Sequence, residues 1–224
     1  MITVVANLKG GVGKSTVAFN LAIWLVCRGQ SVIAYDLDLQ TTLRDVARVR
    51  QLEGHEPPLE VHATRHLDAE TLRKHKGEVV IDVGSTNMQA FQTALSLADR
   101  VIIPVPPSQP DVWGTQRFLR IVHEAARGPT RGEVVAFVNR ADMDHLTRET
   151  RETEAALNRL PGLTVLPQRL SNRAIYRRSM SEGLAVFELW PDSKGALEFR
   201  RLASALYPHL IQTTRTVMTK VTGS

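Results

Sequence analysis

The sequence predicts an α/β fold, a doubly wound, mostly parallel sheet flanked by helices. Three observations carry that expectation. Short apolar, β-branched runs alternate with segments of helical pattern along the 224 residues. Several runs are apolar on both faces, as strands buried between two helix layers should be. A glycine-rich turn joins the first run to the first helical segment, and in such sheets ligands bind beyond the carboxyl ends of the strands.

The first strand, Ile2–Ala6, is apolar, and the helix after it, Ser15–Arg28, carries the long apolar segment Val17–Cys27. A second strand, Ser31–Leu37, runs into two acids and a helix at Thr41–Gln51. The break Gly54–Pro58 precedes a strand at Leu59–Ala63 and a helix at Asp68–His75. Glu78–Val83 is an apolar run closing on an acid, followed by a helix over Met88–Leu97. Arg100–Val105 leads through a proline-rich break, Pro104–Pro110, to a helix at Asp111–Ala126. Glu133–Asn139 and Leu163–Leu166 are the last strands, separated by a helix at Arg148–Leu160, and a final helix spans Asp192–Tyr207.

At 43% apolar, the chain can bury one large core. A single domain is expected over residues 1–208, with 209–224 a frayed helical tail. The 28 basic and 23 acidic residues leave a net charge of +5, and the pI is about 9.7. That charge suits a polyanionic partner, with a merely solvated surface as the alternative. The one cysteine, Cys27, is expected in the apolar face of the first helix, where it supports neither a disulfide framework nor a metal set. A reducing cytosol is the expected home. A strand starting at residue 2 leaves no room for a signal peptide, and the apolar run Leu21–Cys27 is too short to span a bilayer. His55, His62, His66 and His75 match no zinc spacing and are expected to face solvent.

The stretch Lys9-Gly10-Gly11-Val12-Gly13-Lys14-Ser15-Thr16 carries the chemistry. A glycine turn between a buried strand and a helix aims backbone N–H groups at one point, where the helix dipole is positive, and so suits a phosphate chain. Lys14 is placed to reach the terminal phosphates and the Ser15 hydroxyl to hold Mg2+. The strict P-loop pattern asks for glycine where Leu8 stands; this chain has instead a second lysine, Lys9, at the start of the loop. Further on, Asp36 and Asp38 are spaced by two, so that on a strand both carboxylates point the same way. Asp82 closes an apolar strand and is placed to accept hydrogen bonds from Mg2+-bound water.

The loop octet resembles the deviant Walker A box of the ParA/MinD family of P-loop ATPases, and the resemblance extends over residues 1 to about 208. Asp36-Leu37-Asp38-Leu39-Gln40 is similar to the family's Asp-x-Asp-x-Gln box, and Asp82-Val83-Gly84 to its Walker B segment. By resemblance, Lys9 reaches the nucleotide of a facing subunit, Asp38 orients the attacking water, Asp36 sits close to the Mg2+ shell, and Gln40 supports the switch around the phosphates. The sequence departs from the family at Leu39, where proline is usual, and at Val83-Gly84, where Thr-Pro is common. The prolines at 104, 106, 107 and 110 resemble a stiff loop that contributes to a nucleotide-dependent dimer interface. Asn139-Arg140 resembles a pair that contacts the base. The segment from Leu166 through Pro167 and Arg169 to Arg173 resembles one that packs near adenine and approaches DNA.

The closest likeness is to the short, ParF-type partition proteins of plasmids, since no DNA-binding extension precedes the first strand. That likeness implies ATP and ADP with Mg2+, an ATP-dependent homodimer, and cycling on and off the nucleoid. It also implies a small DNA-binding adaptor of the ParB or ParG type that stimulates hydrolysis and so drives plasmid or chromosome partition. Arg169, Arg173, Arg177, Arg178, Arg200 and Arg201 are the candidates to grip duplex DNA through its phosphates; pairing with Glu182, Glu188 and Glu198 is the alternative. A protein cargo, such as a carboxysome or a chemoreceptor cluster, is the alternative to DNA cargo. A membrane partner of the MinD kind is not expected, because the tail from Gln212 holds only Val217, Met218 and Val221 as apolar anchors. A metabolic P-loop enzyme usually lacks the early lysine, and Lys9 argues against one.

Overall fold

The computed structural model describes residues 1–63, 68–125, 132–143 and 147–211. The strands are β1 (Ile2–Ala6), β2 (Val32–Asp36), β3 (Val61–Ala63), β4 (Glu78–Val83), β5 (Arg100–Val105), β6 (Glu133–Ala141), β7 (Thr164–Val165) and β8 (Leu170–Ser171). The helices are α1 (Lys14–Cys27), α2 (Thr42–Leu52), α3 (Ala69–Lys74), α4 (Met88–Leu97), α5 (Gln109–Ala125), α6 (Arg148–Leu157), α7 (Ala174–Ser181), α8 (Val186–Leu189) and α9 (Lys194–Leu206). The sheet runs β3-β2-β4-β1-β5-β6-β7, with β8 also paired to β6. Every described pairing is parallel, so the expected doubly wound sheet is what forms.

Side chains on a strand alternate between faces, and here they feed two separate cores. Val5, Val80, Ile102 and Val135 join α1, α2, α7, α8 and α9 on one face. Val4, Ile81, Ile103 and Ala136 join α3, α4, α5 and α6 on the other. Both faces are covered, which is why the central strands read as unbroken apolar runs. Helix starts are fixed locally: Asp68, Asn87 and Ser193 accept from backbone N–H groups at Thr71, Ala90 and Ala196. The helix α1 has no such cap.

Several expectations change. The sequence pattern misses β8, α7 and α8. Pro104 lies within β5 and Pro110 in the first turn of α5, where a missing N–H costs nothing, so only Pro106 and Pro107 belong to the loop. Cys27 is exposed at the end of α1, not on its apolar face. His55, His62 and His75 are half-buried instead of solvent-facing: His55 Nε2 meets the Glu182 carbonyl at 3.1 Å, and His62 stacks near Tyr35. His66 lies outside the described residues, as does the tail from residue 212 with Val217, Met218 and Val221. No described helix is long and apolar enough to cross a membrane.

Candidate functional site

The turn between β1 and α1 depends on glycine and is braced from three sides. Gly11 and Gly13 take left-handed backbone angles, φ 71° and 95°. At Gly13 a Cβ would also lie 2.5 Å from the Asn139 amide nitrogen. That amide, at the end of β6, donates to the Val12 carbonyl at 2.6 Å, and Arg140 Nη1 donates to the Gly11 carbonyl. Arg140 itself holds φ 57°, a strained conformation of the kind that collects at functional sites. From β5, the Pro104 carbonyl accepts from the buried Asn7 amide, whose oxygen takes the Lys9 N–H, both at 3.0 Å. From beyond β4, Ser85 Oγ donates to the Leu8 carbonyl at 2.9 Å. The loop carbonyls are engaged, while α1 begins with neither a side-chain cap nor an acidic residue in its first turn. Its N–H groups and positive dipole end are left for an anion.

Lys14 is buried, with its ammonium 3.4 Å from the Lys9 carbonyl across the loop. A cavity of about 370 Å3 opens over it, lined by Gly10, Gly11, Gly13, Lys14, Ser15 and Thr16. Its walls also include Asp38, Gln40, Gly84, Asn139, Arg140, Tyr176, Arg177 and, among the predicted DNA-gripping arginines besides Arg177, Arg173. Val12 is buried behind the loop.

The acids collect on the other side of β1. Strand pairing makes Asp36 and Asp82 direct neighbours. Asp36 accepts from the N–H groups of Asp38 (3.1 Å) and Arg44 (3.0 Å), and burial raises its pKa. Asp82 is fully buried, and although the Ser15 hydroxyl lies beside it, neither carboxylate oxygen reaches hydrogen-bond geometry. Burial pushes its pKa up to about 7, the charges of Asp36 and Asp38 adding to the rise while the Ser15 hydroxyl and Lys14 oppose it. A buried carboxyl without a partner is costly, and a hydrated cation beside Ser15 would satisfy it. The hydroxyl and carboxylate oxygens of Ser15, Asp36 and Asp82 therefore fit Mg2+, a hard cation that keeps several of its waters. Among the described residues no group of three or more His, Cys, Asp or Glu is arranged to hold a metal alone.

Asp38 does not share the strand with Asp36. β2 ends at Asp36, and Asp38 sits in the following turn, its Oδ1 accepting from the Gln40 N–H at 3.1 Å. Lys9 stands outside the cavity lining, half exposed, with its ammonium 2.9 Å from Asp111 in the first turn of α5. Pro167 and Arg169 are not brought to the cavity, and Glu154 holds the Arg169 guanidinium through Nε and Nη2.

The remaining arginines divide by partner. Arg173 pairs with Glu198 and Arg178 with Glu182, and Arg178 also lies over Trp190. Arg200 donates to the Pro191 carbonyl and lies over Phe187. Arg177 and Arg201 are exposed and have no ion-pair partner among the described residues. Glu188 is taken instead by Arg50, a fully buried residue that sequence reasoning passed over. Asn7 and Ser85 were also passed over, because their part lies in contacts with chain far away in sequence.

Residues 3–183 match the CbiA family, described as the CobQ/CobB/MinD/ParA nucleotide binding domain. The chain is 28% identical over 199 residues to maintenance of carboxysome distribution protein A from Halothiobacillus neapolitanus, covering 87% of this chain and 90% of that protein. It is 27% identical to the chromosome-partitioning ATPase Soj from Thermus thermophilus, covering 88% and 92%. Among solved structures, an ATP complex of a Cyanothece McdA variant superposes with a TM-score of 0.72 at 20% identity, over 91% of this chain and 95% of that one. With most of its length matched, the chain belongs to the CobQ/CobB/MinD/ParA family, within its ParA/MinD-type ATPases.

Proposed function

We propose that the chain is a Mg2+-dependent ParA-type ATPase that dimerises on ATP, binds duplex DNA without sequence preference, and drives plasmid or chromosome partition. The observation that carries the ATPase reading is the pairing of an uncapped α1 and buried Lys14 with the orphaned Asp82 across β1. The loop amides and Lys14 hold the terminal phosphates. Ser15 holds the metal, with Asp36 and Asp82 behind it, and Mg2+ when bound neutralises charge on the phosphates. Asp38 orients the attacking water from the turn after β2. Asn139 and Arg140 fix the loop carbonyls and flank the base. Catalysis of this kind is mostly positioning and charge stabilisation.

Lys9 serves the facing subunit. To do so it leaves Asp111, and its half-exposed side chain is free to make that exchange. Two copies brought together double the phosphate-gripping surface, so DNA affinity follows the nucleotide. Arg201, exposed and without an ion-pair partner among the described residues, leads that surface, with Arg177 joining it from the cavity wall; Arg178 and Arg200 are second, while Arg169 and Arg173 are committed to carboxylates. A small adaptor of the ParB or ParG type stimulates turnover, and residues 1–208 act as one ATPase domain with 209–224 a tail. The likeness to a carboxysome distribution protein favours a second reading, a protein body as cargo.

The test is binding to long non-specific duplex DNA with ATP, with ADP and without nucleotide, across a salt series, for the wild type and Lys14→Ala. Salt-sensitive binding only with ATP, absent in the variant, is the expected result. Equal binding in all three states severs nucleotide from DNA. Labelled protein that follows a protein body and ignores plasmids selects the second reading.

A further inference from the structure

Gly84 follows β4 directly and shares the cavity wall with Asp38. Its backbone is not in the left-handed region, so conformation gives no reason for glycine there. The reason is space. A Cβ at residue 84 would lie 2.2 Å from Asp38 Oδ2, 2.6 Å from its Cγ and 3.1 Å from Oδ1, and these are its three nearest atoms. The Asp38 carboxylate therefore rests against the bare α-carbon of Gly84. The residue is held there twice: its backbone N–H donates to Asp36 Oδ1, and its carboxylate Oδ1 accepts from the Gln40 N–H. A side chain with so few bonds cannot swing clear of an added methyl and keep the bond to Gln40.

We propose that Gly84 is a positioning residue for Asp38: its missing side chain sets where the carboxylate sits over the end of β4. This inference rests on the reading above, in which Asp38 orients the attacking water. In that step the water oxygen bonds to the γ-phosphorus and the bond from phosphorus to the β–γ bridging oxygen breaks. ADP leaves with the electron pair, and the water proton passes through the Asp38 carboxylate to solvent. Displacing the carboxylate by an ångström spoils the aim of the water without touching the groups that grip the phosphates. Residue 84 thus acts on turnover and leaves affinity alone.

The experiment compares wild type, Gly84→Ala, Asp38→Ala and the double variant for kcat, KM and ATP affinity by fluorescent-analogue binding. Gly84→Ala is expected to lose about tenfold or more in kcat while KM and affinity stay within about threefold. The double variant is expected to be no slower than Asp38→Ala, because the methyl then has nothing to displace. Wild-type kcat in Gly84→Ala, with Asp38→Ala slowed but measurable, overturns the positioning role alone. So does a double variant slower than Asp38→Ala by the full Gly84→Ala factor, since Gly84 would then act independently of Asp38. Wild-type turnover in Asp38→Ala overturns the reading beneath. If Gly84→Ala unfolds, recovery of its melting temperature in the double variant supports the contact, and failure to recover overturns it.

Discussion

Replacing Asp82 by asparagine tests the buried acid without changing its shape. Asp82 binds its proton far more tightly in the folded chain than in the unfolded one, from an ordinary value of 3.8 up to about 7. A carboxyl shifted in that direction favours folding below pH 3.8 and above it costs stability, progressively, until pH passes about 7. Each pH unit is worth about 1.4 kcal/mol, so the rise of about three units amounts to about 4 kcal/mol at pH 8. Asparagine cannot ionise, and the variant is therefore expected to be the more stable protein when nucleotide and Mg2+ are withheld. For a domain of this size about 4 kcal/mol raises Tm by on the order of 10 °C. The assay is thermal unfolding by circular dichroism in EDTA at pH 4 through 8. The gap between variant and wild type should open steadily over that range and be near zero at its acid end. Adding Mg2+ and ATP should stabilise the wild type more than the variant, which keeps the loop amides and Lys14 but not the acid behind the metal. A variant that melts below the wild type at pH 8, or a gap that does not change with pH, would refute the reasoning.

Three further outcomes follow from the geometry. Lys9→Ala should leave binding of a fluorescent ADP analogue unchanged and abolish the ATP-dependent dimer in size-exclusion chromatography, since Lys9 lies outside the cavity lining; a dimer that persists removes the trans role. Arg50→Ala strands Glu188 beside a buried vacancy and should cost about 3–5 kcal/mol in urea unfolding; a loss under about 1 kcal/mol would mean water replaces the guanidinium. Arg201→Glu should weaken ATP-dependent DNA binding by about threefold or more and flatten its salt dependence at unchanged ATP affinity, whereas the same change at Arg173 should show mainly as lost stability, because Glu198 already holds that side chain.

Much of this was legible from residue order alone. β1, β4 and β5 show as apolar runs because both faces of each are buried, and the loop shows because glycine, lysine and serine stand at fixed spacing between a strand and a helix. Asp36 and Asp82 could be placed because each closes a run. The misses have different causes. β8 has two residues and α8 four, too few for any period to register, and α7 buries only Ile175, Tyr176 and Ser179. The spacing of Asp36 and Asp38 predicts both on the strand, while the chain turns there and the Asp38 N–H donates to Asp36 Oδ1. The part of Asn139 in closing the loop and the reason for Gly84 are contacts between segments far apart in sequence. Which arginines are free depends on where Glu154, Glu182 and Glu198 fall in space, and no spacing rule gives that.

The strand order β3-β2-β4-β1-β5-β6-β7 has a consequence for how the pocket can diverge. β1 and its loop stand in the middle; the acids lining or backing the cavity (Asp36, Asp38, Asp82) come from β2, the turn after it and β4 to one side, and the amide and guanidinium of Asn139 and Arg140 come from the other. The upper edge of the sheet is in effect a dipole laid across the loop, negative toward β2 and positive toward β6. On the proposed reading a nucleotide would lie along it with its metal toward the acids and its base toward the amide. The two halves share no side chain, so base selectivity and metal chemistry can be altered separately, by changes on opposite flanks of a strand that stays the same.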